Sequence, residues 1–156
     1  EVVERMQATT TRHRLLLRRR VSAPVEADRE RIDQVLVNLL DNAIKFSPEG
    51  GDVETTVYVR DGEAAVSVRD HGVGIPKDRQ AHIFERFYRA HAGTPYDYGG
   101  MGIGLHIIRE IVARHGGRMW FESEEGRGST FYFSLPLGER GDNGGQAYGS
   151  FKREAE

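Results

Sequence analysis

The chain has 156 residues, a length that fits one domain with a single core. Its net charge of −2 argues against the basic surface of a nucleic-acid-binding domain, so we expect no nucleic-acid partner. The absence of cysteine excludes disulfide frameworks and thiolate sites, and no apolar run approaches the ~20 residues of a membrane helix, so we expect no membrane contact.

The first third of the chain is predicted to form a short helix, a strand and a long helix. Residues 1–9 are typical of the end of a linker helix, which we expect to come from an upstream domain that this sequence lacks. Thr10–Val21 is predicted to be a strand, and its arginines at 18–20 indicate either an acidic partner or, as we favour, a charged edge strand. Asp28 is a suitable N-cap for a helix over 29–46, where apolar residues recur with a 3.6-residue period.

The rest of the chain is predicted to supply two hairpins, a loop and a second long helix. Asp61-Gly62 is a strong hairpin signal between two β-branched runs. Residues 72–100 have little periodicity, so we expect a long functional loop there. Residues 138–156 are glycine-rich and polar, and we expect a disordered tail. The predicted strands lie at residues 53–60, 63–70, 118–124 and 128–137. A short helix is predicted at 77–83 and a longer helix at 101–115.

Polar side chains form a row along the first long helix. Gln34, Asn38, Asn42 and Lys45 are spaced four, four and three residues apart, so they share one face beside the apolar stripe. One explanation is that these side chains simply face water. The alternative is that amide oxygens help to hold Mg²⁺ while the lysine neutralises phosphate charge.

Two glycine-containing segments complete a candidate nucleotide site. Asp70 follows a predicted strand directly and precedes Gly72 and Gly74, so its carboxylate could accept a hydrogen bond from the exocyclic amine of a flat ligand, although an ordinary turn has the same pattern. The run at 99–105 crowds glycines at the start of a helix, where backbone N–H groups commonly bind phosphate. Together with the amide row, these segments predict an ATP site.

Four motifs in a fixed order carry a family resemblance. They are the N box at 38–46, a first glycine box at 70–74, an F box at 84–89 and a second glycine box at 100–105. The chain resembles the catalytic ATP-binding domain of bacterial sensor histidine kinases, in the superfamily of gyrase, mismatch-repair and heat-shock chaperone ATPases. The resemblance implies an α+β, two-layer α/β sandwich of the Bergerat type over residues 10–137, with a mixed, mostly antiparallel sheet that about three helices cover on one face.

The resemblance also implies roles on the long helix and in the first glycine box. Asn42 would be the principal Mg²⁺ ligand with Asn38 nearby, and Lys45 would contact phosphate. Phe46 would flank the adenine, and Asp70 would accept the adenine amino proton.

Further implied contacts lie in the loop and the last strand. Arg89 and Arg86 would reach the phosphates, whereas Phe84 and Phe87 are interpreted as hydrophobic anchors of the loop. Thr130 would support Asp70 through its hydroxyl, or would simply be a strand residue. The remaining implied nucleotide contacts are Gly72 and Gly74, which would keep the pocket open, with Ile75, Gly100, Gly102, Gly104 and Leu105.

Asn38 separates the branches of this superfamily. The hydrolysing relatives carry a glutamate there, and an amide cannot take a proton from water. The resemblance therefore implies slow hydrolysis of ATP and transfer of its γ-phosphoryl to a histidine on a separate dimerisation domain of the same protein. That phosphate would pass to the aspartate of a response-regulator receiver domain, in a cytoplasmic location, with a homodimeric parent whose membrane anchoring stays open.

Two alternatives to this function remain. His71 and Met101 depart from the usual residues of their motifs, which leaves open a regulatory module that binds nucleotide without transfer. An anti-sigma-type serine kinase has the same fold, but its relatives carry glutamate at the position of Asn38.

Overall fold

The chain is organised around one five-stranded sheet. The computed structural model describes residues 1–19, 21–138 and 150–151, so the expected disordered tail lies almost wholly outside the described residues. The elements are α1 (Val2–Gln7), β1 (His13–Arg19), β2 (Ala23–Pro24), α2 (Arg29–Lys45), β3 (Gly51–Arg60), β4 (Glu63–Arg69), a 3-10 helix (Lys77–His82), α3 (Gly104–Arg114), β5 (Arg118–Glu124), β6 (Gly128–Pro136) and β7 (Ser150–Phe151).

The strand order in the sheet is β1-β3-β4-β6-β5. β1 pairs with β3 in parallel, whereas the β3–β4, β4–β6 and β5–β6 pairs are antiparallel. The predicted mixed, mostly antiparallel sheet is therefore confirmed. β2 and β7 form a separate antiparallel pair.

The three α-helices cover one face of this sheet, as predicted. α2 begins at its N-cap Asp28, whose side chain accepts a hydrogen bond from the Arg31 backbone N–H at 3.3 Å. Because apolar residues of α2 and α3 recur with the helical period, each helix presents a continuous stripe to the strands. The core includes Val35, Leu40, Val53, Val66, Val68, Ile108, Val112, Phe133 and Leu135.

The other sheet face carries polar and aromatic side chains, as antiparallel sheets with one solvated face commonly do. Trp120 stacks on Tyr132 with ring centroids 5.1 Å apart, and Arg18 pairs with Glu54 at 2.9 Å. No helix of the described chain lies on this face.

The predicted start of the last helix at Met101 is wrong. Gly99, Gly100 and Gly102 have φ values of +79°, +99° and +72°, which a right-handed helix does not allow. α3 therefore begins at Gly104, and residues 99–103 stay in the loop that approaches α2.

We predict that Leu40→Ala lowers the free energy of unfolding by about 2–5 kcal/mol, because the cavity that it creates lies in a fully buried part of the core. The measurement is urea denaturation followed by circular dichroism. Leu17→Ala makes the same chemical change at a side chain that is 39% exposed, and should cost less than about 1 kcal/mol. Equal losses for the two variants would contradict the assigned core.

Candidate functional site

One cleft gathers most of the predicted site residues. It lies between the second half of α2, the chain that follows β4, and a loop over residues 88–103, which we call the 88–103 loop. The predicted residues that line it are Asn38, Asn42, Lys45, Phe46, Asp70, Gly74, Ile75, Arg89, Gly100, Gly102, Gly104 and Leu105.

Asp70 is a buried carboxylate with one oxygen unused. It is 7% exposed, and its Oδ1 accepts hydrogen bonds from the backbone N–H groups of Gly72 at 2.9 Å and Ser129 at 3.1 Å. No hydrogen bond within the described residues uses its Oδ2. Burial raises the pKa of Asp70, although the two backbone hydrogen bonds oppose that shift. This arrangement holds the Asp70 carboxylate in place, with Oδ2 positioned as a potential hydrogen-bond acceptor.

The glycines after Asp70 serve close packing of the chain. The Val73 N–H donates to the Phe46 carbonyl at 2.9 Å, which ties this loop to the end of α2. A Cβ at Gly72 would overlap the Phe46 carbonyl oxygen, and one at Gly74, whose φ is +67°, would overlap the Glu124 carbonyl oxygen. Gly72 does not line the cleft. These two glycines therefore position Asp70 rather than widen the pocket, which corrects the reason predicted for them.

The amide row of α2 faces the same cleft. Asn42 Nδ2 donates to Asn38 Oδ1 at 3.4 Å, an arrangement that leaves Asn42 Oδ1 available to a ligand. Gly104 lies against this pair, since a Cβ there would be 3.0 Å from Asn38 Nδ2. The described residues contain no cluster of three or more His, Cys, Asp or Glu that could hold a metal ion. The row supplies amide oxygens, a type of ligand that suits Mg²⁺.

Two cations reach the cleft from opposite sides. Lys45 Nζ donates to the Gly99 carbonyl at 3.5 Å and lies 5.6 Å from the centroid of the Phe46 ring. Arg89 Nη2 pairs with Asp97 Oδ2 at 2.8 Å, and its Nη1 donates to the Gly100 carbonyl at 3.4 Å. Both cations therefore bind acceptors of the 88–103 loop in this conformation.

Aromatic side chains of that loop cover Phe46, a contact that the sequence motifs did not predict. The His91 ring lies 4.8 Å from the Phe46 ring between centroids, and the Tyr98 ring lies 6.0 Å from it. His91 is 7% exposed, and burial lowers the pKa of its imidazole. The loop has no apolar periodicity, so its pattern carried no signal for this packing.

Two predictions in the F box are corrected. Arg86 does not line the cleft: its Nη2 lies 3.4 Å from His106 Nε2, in a separate groove beside α3. Phe84 anchors the loop through edge contacts with Phe121 and Phe131, as predicted. Phe87 is 65% exposed and does not act as an anchor.

The position of Thr130 is also corrected. Side chains alternate along β6, and Phe131 and Phe133 face the helices. Thr130 therefore lies on the opposite sheet face, outside the cleft, whereas Ser129 lines the cleft and donates its backbone N–H to Asp70. Strand parity in the sequence contained this information, because the residues that alternate with Thr130 are the apolar ones.

Comparisons with known proteins agree with this arrangement. Residues 27–139 match the family described as histidine kinase-, DNA gyrase B-, and HSP90-like ATPase. The chain belongs to this family. The match spans the whole cleft, from the start of α2 to the end of β6, and the resemblance to histidine kinase catalytic domains is confirmed.

Several relatives of this ATPase domain are sensor kinases. The chain is 40% identical over 142 residues to the sensor histidine kinase WalK of Bacillus subtilis, a match that covers 88% of this chain and 23% of WalK. Its structure superposes on the mycobacterial sensor histidine kinase MprB with a TM-score of 0.74 at 29% identity, covering 87% of this chain and 91% of that chain. It superposes on full-length ShkA, solved in complex with AMPPNP, with a TM-score of 0.70 at 34% identity, covering 87% and 28%.

The domain spans about a quarter of the length of WalK. Among the described residues, no helix combines the length and the hydropathy that crossing a bilayer requires.

We predict that Gly72→Ala destabilises the domain by about 1–3 kcal/mol, because the added Cβ would overlap a backbone carbonyl at the end of α2. Chemical denaturation measures this loss. Gly138→Ala is the matched control, since its Cβ would lie 3.4 Å from the Pro24 carbonyl oxygen, in ordinary contact. Similar stabilities of the two variants would show that the Asp70 loop tolerates a side chain here.

Proposed function

We propose that this domain binds ATP with Mg²⁺ in the cleft and donates the γ-phosphoryl group to a histidine on a separate dimerisation domain. The observation that carries the proposal is the convergence, in one cleft, of a buried carboxylate with a free oxygen, a pair of amides and two cations. The full-length ShkA structure, a similar protein, holds the ATP analogue AMPPNP and supports the same ligand here.

The adenine end of the nucleotide would bind at Asp70. Its Oδ2 would accept the exocyclic amino group, while the backbone N–H groups of Gly72 and Ser129 hold the carboxylate in place through Oδ1. Phe46 and Ile75 line the cleft beside it and would flank the ring. Ser129 takes the role predicted for Thr130, because Ser129 donates its backbone N–H to Asp70 and Thr130 lies on the other sheet face.

The phosphate end would bind between α2 and the 88–103 loop. Asn42, with Asn38 beside it, would supply amide oxygens to Mg²⁺. The bound ion would neutralise part of the phosphate charge. Lys45 and Arg89 would bind phosphate oxygens once their contacts with loop carbonyls are exchanged. The backbone at Gly100, Gly102 and Gly104 would follow the phosphate chain.

The chemistry of Asn38 favours transfer over hydrolysis. Its amide cannot act as the base that activates water, so the residues of the cleft would mainly position ATP and neutralise charge. In the transfer, the bond between the γ-phosphorus and the bridging oxygen breaks, a phosphorus–nitrogen bond to the acceptor imidazole forms, and ADP leaves. We propose that the phosphoryl group then passes to a receiver-domain aspartate, and that the parent protein is a homodimer.

We predict that Asp70→Asn weakens ATP binding at least about tenfold, because an amide NH₂ replaces an acceptor that faces the ligand amine. Isothermal titration calorimetry measures the affinity, and circular dichroism checks the fold. Thr130→Val, on the other sheet face, is the control and should bind ATP like the unmutated domain. Loss of affinity in that control would restore Thr130 to the site.

We predict that Asn42→Ala abolishes the dependence of ATP affinity on Mg²⁺, because it removes the principal amide ligand. Titrations of each protein with and without Mg²⁺ measure this dependence. In the unmutated domain, equal affinities in the two buffers would contradict the role of Asn42.

We predict that the domain alone binds γ-labelled ATP without becoming labelled, and that addition of the histidine-bearing dimerisation domain of its parent yields acid-labile, base-stable label on that domain. Acid and alkali treatment of the labelled product identifies the phosphoramidate. Tight ATP binding without such label would instead indicate a regulatory module.

A further inference from the structure

The carboxylate of Asp97 holds a donor set that suits a phosphate group. Its Oδ2 accepts from Arg89 Nη2 at 2.8 Å and from the Gly93 N–H at 3.3 Å, and its Oδ1 accepts from the Gly99 N–H at 3.1 Å. A guanidinium combined with glycine N–H groups is a recurrent arrangement for binding phosphate. Here a side chain of the protein itself occupies it.

This ion pair lies in the same cleft as the candidate nucleotide-binding residues. Asp97 and Arg89 both line it, together with Asp70 and Asn42. The Asp97 and Arg89 side chains are 28% and 32% exposed, so the pair is partly shielded from water. The hydrogen bonds from the two glycine N–H groups, with Arg89 beside them, lower the pKa of Asp97, so its carboxylate is ionised at neutral pH.

We propose that Asp97 competes with the terminal phosphate of ATP for Arg89 and thereby sets the affinity of the site. This inference rests on the proposed function. In this structure Asp97 neutralises Arg89 and holds the 88–103 loop through Gly93 and Gly99. A terminal phosphate that binds Arg89 takes the place of this carboxylate, because the two like charges repel each other at contact distance.

The competing explanation is that Asp97 only braces the loop. In that case its removal would disorder the loop and weaken nucleotide binding. Competition predicts the opposite change in affinity. Loss of the carboxylate frees Arg89 and strengthens binding, and this gain grows with the number of phosphates on the ligand. The two explanations therefore differ in a measurable direction.

The test is calorimetric titration of Asp97→Asn with ATP, ADP and adenosine in the presence of Mg²⁺. For a partly exposed ion pair we expect ATP to bind about two- to fivefold more tightly than to the unmutated domain. The gain should be smaller for ADP and absent for adenosine. Weaker or unchanged binding of ATP would overturn the proposal.

Asp41→Asn is the matched control, because Asp41 also lines the cleft and no ion pair within the described residues includes it. It removes the same charge, and we expect it to change ATP affinity less than Asp97→Asn does. An equal gain in ATP affinity for the two variants would show that net charge alone causes the effect, and would overturn the proposal that Asp97 competes for Arg89.

A second control places Asp97→Asn in an Arg89→Gln background, where the gain should vanish because Arg89 is the group under competition. A gain that persists there would also overturn the inference. If the unmutated domain binds no ATP, the proposed function itself fails. If it binds ATP normally and Asp97→Asn shows no gain, only the role of Asp97 fails.

Discussion

The buried carboxylate of Asp70 is the constraint on which the rest of the site depends. Burying a charged carboxylate away from water is unfavourable. Hydrogen bonds from the backbone N–H groups of Gly72 and Ser129 to one oxygen offset part of this cost. The Gly72 donor is in place because the chain after β4 passes tightly between the end of α2 and the β5–β6 turn, and the Ser129 donor is in place because β6 pairs with β4. The glycine requirement at 72 and 74 follows from that passage. Within the described residues the second oxygen accepts no hydrogen bond, and we propose that it accepts one from the ligand.

The two ends of the cleft differ in how they are held. The Asp70 end belongs to the sheet and to the loop hydrogen-bonded to α2, so it is set by the same packing that forms the core. The other end depends on Arg89, Asp97 and carbonyls of the 88–103 loop, which are mostly partly exposed side chains and surface hydrogen bonds. Elements with few buried contacts open at low free-energy cost. This division suits the proposed binding of ATP, in which the base would be held rigidly while the loop exchanges partners with the phosphate chain.

Much of the cleft could be predicted from motifs in chain order, because each lies near the end of an element: Asn42 in the last turn of α2, Asp70 after β4 and the glycines before α3. The errors have specific causes. The contact predicted for Thr130 is made by its neighbour Ser129. In a strand, a shift of one residue moves the side chain to the opposite face of the sheet. Arg86 was assigned by its position in a motif, but its guanidinium turns towards His106.

The sequence by itself determined the elements, the family and the chemical groups of the site, because helical period, strand alternation and motif order are local properties of the chain. Only the tertiary structure decided which oxygen of Asp70 the backbone holds, that Ser129 rather than Thr130 supports this carboxylate, and that Asp97 holds Arg89. The physical reason is that these contacts join segments that are distant along the chain or lie in a loop without periodicity. Their geometry depends on how the packed elements bring those segments together.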